Sequence, residues 1–362
     1  MNPRARAQVR TAVRAVLGDR GRALVRRAEL ASGLRPRVNR QAAHTLPYPD
    51  GRRAAVVIVA DFELAWAWRY ARERSPLSLA LKKAAQGRKN VGSLLNLCDQ
   101  FGVPITWAVV GHLMLDHCLR VGGVAHPELP RLPFFTNERW AYGQGDWFDF
   151  DPALTDTTDP TWAAWYAPDL VRAIIDRPTR HELGCHSFSH IPFDEHLCPV
   201  DVVRGELQQC VALANQWGVE LRSFVFPGNI PGHRASLREA GFTSYRTVAG
   251  TSELDVPRRD ELGLWALPAG LCLDRAYTCW SAQEHFDSVR RYVDVAMETG
   301  LPCTLWFHPE MDRGEVEELF PMLFRYLSER RSDLWITTSS GLVQWLEGSD
   351  QPLALSGAAR SA

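Results

Sequence analysis

From residue 54 onward the chain alternates between short apolar runs that stop at polar residues and longer stretches whose apolar positions recur three and four apart. Continuous apolar runs mark strands covered on both faces, and the 3.6-residue period marks helices packed against them. Strands are predicted at 55–61, 104–110, 181–186, 223–227, 242–247, 264–269, 303–308 and 334–338. Helices are predicted at 91–101, 112–121, 167–176, 199–217, 233–240, 282–299 and 315–331, with acids placed for a first turn at 314–318. Repeated strand–helix units give a parallel α/β architecture, and seven or eight strands suit a barrel better than an open sheet. The expected fold is an irregular (β/α)7–8 barrel over 46–347.

Three segments depart from that rhythm. Residues 1–45 form an arginine-rich arm: the first forty hold eleven Arg against Asp19 and Glu29, leaving thirty basic and forty acidic residues for the rest. Residues 2–30 read as a helix with Arg on several sides, either lying on an anionic membrane surface or packed on the acidic body of the same or a neighbouring subunit. An insertion at 126–162, rich in Pro, Asp and aromatics, is predicted to be a lid or substrate wall. The tail at 348–362 reads as a frayed terminus.

A content of 46% hydrophobic and 23% charged residues excludes disorder, and the net charge of -1 gives no nucleic-acid footprint to the whole protein. The arm holds no apolar run of the secretory type, and no segment approaches the ~20 apolar residues of a membrane span. The expected location is the cytoplasm, with peripheral membrane contact through the arm as a further expectation. The eight cysteines, at 98, 118, 185, 198, 210, 272, 279 and 303, form no C-x-x-C pair and sit mostly in apolar stretches. Neither a structural zinc nor a disulfide framework is expected from that pattern.

Candidate chemistry follows from what the strands end with, since a parallel barrel carries its site at their carboxyl ends. The first ends in Asp61 and Glu63, the third in His186 with His190 beyond it, the fourth in Pro227, Gly228 and Asn229, and the seventh in His308, Pro309 and Glu310. Asp61 and Glu63, two apart, reach one site, either as a base beside a metal-ligand carboxylate or as solvated capping acids. His186 and His190 share one side if a helical turn follows the third strand. Two His and a carboxylate, with positions left for water, are the ligand set of a hydrolytic zinc or another first-row metal. His308 suits a general acid separate from the ligands, or is an ordinary buried imidazole. His112 also reaches the rim, with no role assigned.

In this order the strand ends resemble the polysaccharide deacetylase family, also called the NodB homology or carbohydrate esterase family four domain, over about residues 54–345. VADFE, HSFSH at 186–190 and LWFH match its first, second and last motifs. The resemblance implies an irregular (β/α) barrel with Asp61 as catalytic base and Glu63, His186 and His190 as ligands of a divalent metal, zinc first. It implies His308 as the acid that protonates the leaving amine, and an N-acetylated amino sugar in a glycan or glycan precursor as substrate.

The third motif departs from the family pattern, in which an arginine near the proline orients or tunes the base. SFVFPGN has none, and Arg222 and Arg246 are off the motif position. Pro227 and Asn229 are left as site wall or backbone oxyanion donor. The nearest match to the fourth motif lies around Trp280. Of thirteen tryptophans, Trp66 and Trp68 after the acids and Trp140 and Trp147 in the insertion are the candidates to stack on a sugar. Two other readings stay open: a hydrolase of a small cyclic amide such as a ureide, with a closed pocket and fewer stacking aromatics, and a non-catalytic glycan-binding protein.

Overall fold

The computed structural model of the protein describes residues 36–44, 46–118, 120–151, 161–248, 253–274 and 280–348; most of the arm and the tail lie outside the described residues. Eight strands form where the apolar runs lie: β1 Ala54–Phe62, β2 Thr106–Val109, β3 Glu182–Cys185, β4 Ser223–Val225, β5 Ser244–Arg246, β6 Trp265–Leu267, β7 Cys303–Phe307 and β8 Leu334–Thr337. Across the sheet they run β6, β5, β4, β3, β2, β1, β7, each parallel to the next. β1 takes the centre because it is the longest and buried at every position. β7 pairs along one edge, while β8 covers Ala54–Val57 and β2 covers Val59–Phe62 on the other. Two short strands extend the ends of the sheet: Arg258–Arg259, antiparallel to β6, and Leu271–Cys272, parallel to β7. Among the described residues no pairing joins those ends, so the sheet curls into a barrel open on one side.

The surrounding helices are α1 Pro76–Phe101, α2 Pro168–Ile175, α3 Val200–Gln216, α4 Arg234–Glu239, α5 Ala282–Thr299, α6 Arg313–Glu329 and α7 Ser339–Gly348. α5 starts with a capping box between Ser281 and Glu284, which satisfies two otherwise orphaned donors. α1 begins at Pro76 rather than 91, because the inward face of its first half is Ala80, Ala84, Gly87 and Asn90, too weakly apolar to show a period. The helix expected at 112–121 does not form. A single 3-10 turn, Gly111–Met114, is followed by a hairpin pairing Arg120–Val121 with Val124–Ala125, because His112 and Cys118 are drawn into a buried polar cluster.

The insertion has a small hairpin, Phe135–Thr136 with Ala141–Tyr142, and packs inward through Phe135, Tyr142, Trp147 and Phe148; residues 152–160 lie outside the described part. Of the arm, Arg37–Val38 pairs with Glu253–Leu254, and residues 1–35 lie outside the described residues. Seven of the cysteines are described, all as free thiols; Cys279 is outside. No described helix is long and apolar enough to cross a membrane.

Candidate active site

Asp61 and Glu63 at the end of β1, His190 beyond β3, Gly228 and Asn229 beyond β4 and His308 beyond β7 line a cleft of about 1000 Å³. Glu63, just past β1, places Oε1 2.9 Å from His186 Nε2 and 3.2 Å from His190 Nε2, with all three side chains buried. His186 Nδ1 lies 2.8 Å from the Val225 carbonyl, which can only accept, so the ring proton belongs on Nδ1. Its Nε2 lone pair then faces the Glu63 carboxylate, the orientation of a metal-ligating imidazole with its second nitrogen anchored. The three donor atoms lie within 4.8 Å of one another, and this set fits a divalent metal ion.

No helical turn brings the histidines together. The HSFSH segment is a bend with Ser187 and His190 at φ 59° and 58°, and it sets the two rings 5.0 Å apart. The bend is braced from both sides. The Ser189 N–H donates to buried Glu206 at 2.7 Å, and the Ser189 carbonyl accepts from Arg69 at 2.9 Å and from the Trp147 indole.

Asp61 is held in a fork: Arg246 Nη1 and Nη2 donate to its two carboxylate oxygens at 2.7 and 2.6 Å, both side chains buried. The arginine absent from the third motif thus comes from the next strand, where Arg246 is the last residue of β5 and lies over the Trp306 ring at 4.6 Å. His308 has a parallel arrangement with Asp274, which accepts from its Nδ1 at 2.5 Å and from its backbone N–H at 3.1 Å. Burial works against the imidazolium, but the Asp274 and Glu63 carboxylates outweigh it and push the His308 pKa up to about 10. Asp274 occupies the place expected around Trp280, which does not line the cleft. The signal was the register: Cys272 pairs with Trp306, so Asp274 runs level with His308.

Glu310, buried beside Glu63, is pushed up to about 8 by burial first and the Glu63 charge second. Its Oε1 accepts from the Leu64 N–H at 2.6 Å and fixes the turn that aims Glu63.

Solved structures share this arrangement of strands. A provisionally named polysaccharide deacetylase from Mycobacterium smegmatis aligns with a TM-score of 0.56 at 17% identity, covering 83% of this chain and 93% of its own. A second, from Pseudomonas aeruginosa PAO1, aligns at 0.55 and 16%, covering 84% and 95%. The fold is that of the polysaccharide deacetylases. The Puue allantoinase has it too, with a TM-score of 0.55 at 16% identity over 84% of this chain and 94% of its own. No protein-family model and no curated protein matches the sequence.

Within this polysaccharide deacetylase fold the aromatic expectations need correction. Trp66 and Trp147 do not reach the cleft: they are 1% and 2% exposed, and their rings sandwich the buried Arg69 guanidinium at 4.6 and 4.1 Å. The insertion folds inward over that cation, which removes both indoles from substrate. Trp68 and Trp140 line the cleft, with Lys83 covering one face of Trp68 at 4.9 Å. Trp140 lies on Gly228, where a Cβ would come within 2.3 Å of its ring and φ is +61°. That contact explains the glycine after Pro227.

Pro227 is buried, and Gly228 and Asn229 form cleft wall. The Asn229 N–H donates to Phe226 O at 2.9 Å, so it is not the oxyanion donor expected of it. The side chain remains at the site, with Oδ1 3.5 Å from Arg246.

Two expected outcomes follow. Trp147→Ala lowers stability by about 3–5 kcal/mol in denaturant unfolding, because it empties a packed core position. Trp140 is also buried, so Trp140→Ala loses stability too, but because its ring forms cleft wall it raises KM as well, and equal KM in the two variants would contradict this division. Asp274→Asn removes the strongest contribution raising the His308 pKa. An acid must be protonated to act, so activity falls as pH rises through its pKa, and the alkaline limb of the kcat profile shifts to lower pH. An unmoved limb would show that Asp274 does not govern His308.

Proposed function

We propose that the protein is a metal-dependent amide hydrolase that removes an N-acetyl group from an amino sugar in a glycan or glycan precursor. The observation that carries this reading is the placement of two separately braced groups, Asp61 with Arg246 and His308 with Asp274, around Glu63, His186 and His190. Asp61, Glu63 and His308 bring polar atoms within 4.8 Å of one another, so base, metal ligand and acid face one reacting centre.

Glu63, His186 and His190 would hold the metal, with zinc suited to two imidazoles and one carboxylate. When bound, such an ion supplies Lewis acidity, polarising an acyl oxygen and acidifying water. Asp61, its oxygens fixed by the Arg246 fork, takes the proton of the attacking water. His308, kept cationic by Asp274, gives a proton to the departing amine nitrogen, and acetate and a free amino sugar leave. His308 stays a cation at neutral pH because the Asp274 carboxylate faces it, while the Arg246 fork holds Asp61 as a separate acceptor, a division of roles set by environment.

The size of the cleft and its Trp68, Trp140 and Trp306 walls favour a sugar over a small cyclic amide, which a closed pocket would suit better. The test is a paired assay of the metal-loaded protein: acetate release from N-acetylated sugars and oligosaccharides, and ring opening of a cyclic ureide such as allantoin. Acetate release without ring opening is the expected result. Ring opening alone would replace the substrate assignment, and neither activity would favour a glycan-binding role.

A further inference from the structure

A second group of metal-ligating side chains lies away from the cleft. His112, Cys118, His126 and Asp151 are all buried, and each offers one donor atom, all four lying within 4.8 Å of one another. His112 Nε2 is 2.9 Å from Asp151 Oδ2 and 3.1 Å from His126 Nε2, and His126 Nε2 is 3.3 Å from the same Asp151 oxygen. Cys118 Sγ completes the group at 2.8 Å from Asp151 Oδ2. None of the four lines the cleft.

The outer contacts fix which atoms point inward. His112 Nδ1 lies 3.2 Å from the Trp165 carbonyl, an acceptor only, so a neutral imidazole carries its proton there and turns a lone pair on Nε2 toward the centre. His126 Nδ1 faces the Glu128 carboxylate at 3.5 Å and presents Nε2 in the same way. Asp151 receives the Tyr166 hydroxyl on Oδ1 at 2.5 Å, which leaves Oδ2 directed inward. Two imidazole lone pairs and a carboxylate oxygen therefore converge, and a central cation is the arrangement that satisfies all three together. Each ligand also has the outer partner that metal-binding His and carboxylate side chains characteristically keep.

We propose that His112, Cys118, His126 and Asp151 form a structural zinc site. Four protein donors of nitrogen, sulfur and oxygen in a closed, buried group match a structural tetrahedral centre, whereas the three-ligand set at the cleft leaves a position free. The site ties two points of the insertion, His126 at its start and Asp151 within it, together with Cys118 just before it, to His112 beyond the end of β2. It also abuts the HSFSH bend, since the His112 N–H donates to Phe188 O at 2.9 Å. The proposal runs against the expectation from cysteine spacing that no structural zinc is present: the ligands are spread over forty residues and include one thiol, so no C-x-x-C pattern marks them.

Cobalt substitution of the full chain tests the site without reference to activity. Only a thiol-containing site yields a thiolate-to-cobalt charge-transfer band, and Glu63, His186 and His190 supply no thiol. Wild type loaded with Co²⁺ is expected to bind about two equivalents and to show that band. The band is expected to vanish in Cys118→Ser and to persist in Cys272→Ser and His186→Ala, while His186→Ala loses the other equivalent. Absence of the band in wild type, or its survival in Cys118→Ser, would overturn the proposal. The wild-type spectrum decides even if the Cys118 variant fails to fold, and loss of the cleft metal alone leaves the band intact.

Discussion

Arg246→Ala is expected to cost about 3–5 kcal/mol of stability, because it leaves the Asp61 carboxylate as an uncompensated buried charge. Asp61 and Arg246 are 2% and 4% exposed, and the fork between them accounts for both carboxylate oxygens. Arg246→Lys keeps the charge but not the planar fork, so it should recover part of the stability while turnover stays low, since one ammonium cannot fix two oxygens at once. Replacing both partners, Asp61→Asn with Arg246→Met, should return much of the stability and none of the activity. Urea unfolding of the three variants beside wild type is the check. A Arg246→Ala chain within about 0.5 kcal/mol of wild type, the range of an ordinary surface change, would refute the pairing.

Asp61→Asn is expected to lower kcat by about two to four orders of magnitude, the range lost with a general base, with little change in KM. The amide oxygen still accepts one bond from Arg246, and none of the three metal ligands is altered, so the chain should fold and bind metal as wild type does, at a lower stability because Arg246 becomes an uncompensated buried cation. Circular dichroism and elemental analysis would confirm that the loss is chemical. Near-wild-type kcat would remove Asp61 from the reaction.

The fold was legible because the strands are buried on both faces and so appear as uninterrupted apolar runs; all eight lie within the predicted spans or exceed them by one residue at each end. Reading strand ends also picked out Asp61, Glu63, His186, His190 and His308, which the structure brings close together. Arg246 was set aside because the motif expectation sought an arginine beside Pro227, whereas the structure brings one from the end of the next strand, β5. Asp274 was hidden because Leu271–Cys272 is too short a strand to register as a pattern. Trp147 was misplaced because an aromatic, irregular insertion reads as a rim, and Trp66 because it directly follows the strand-end acids, whereas both indoles pack on the buried Arg69. The bend at HSFSH was invisible because it depends on left-handed φ at Ser187 and His190, a conformation that residues other than glycine adopt uncommonly.

The central claim is that catalysis in the cleft depends on a metal held by Glu63, His186 and His190. Wild type and His186→Ala, stripped with a chelator and assayed for acetate release before and after zinc is returned, test it most directly. No release above background is expected from either stripped chain, with recovery in wild type and none in His186→Ala at the same zinc concentration. Stripped wild type turning over at the zinc-loaded rate, or full recovery in His186→Ala, would contradict it.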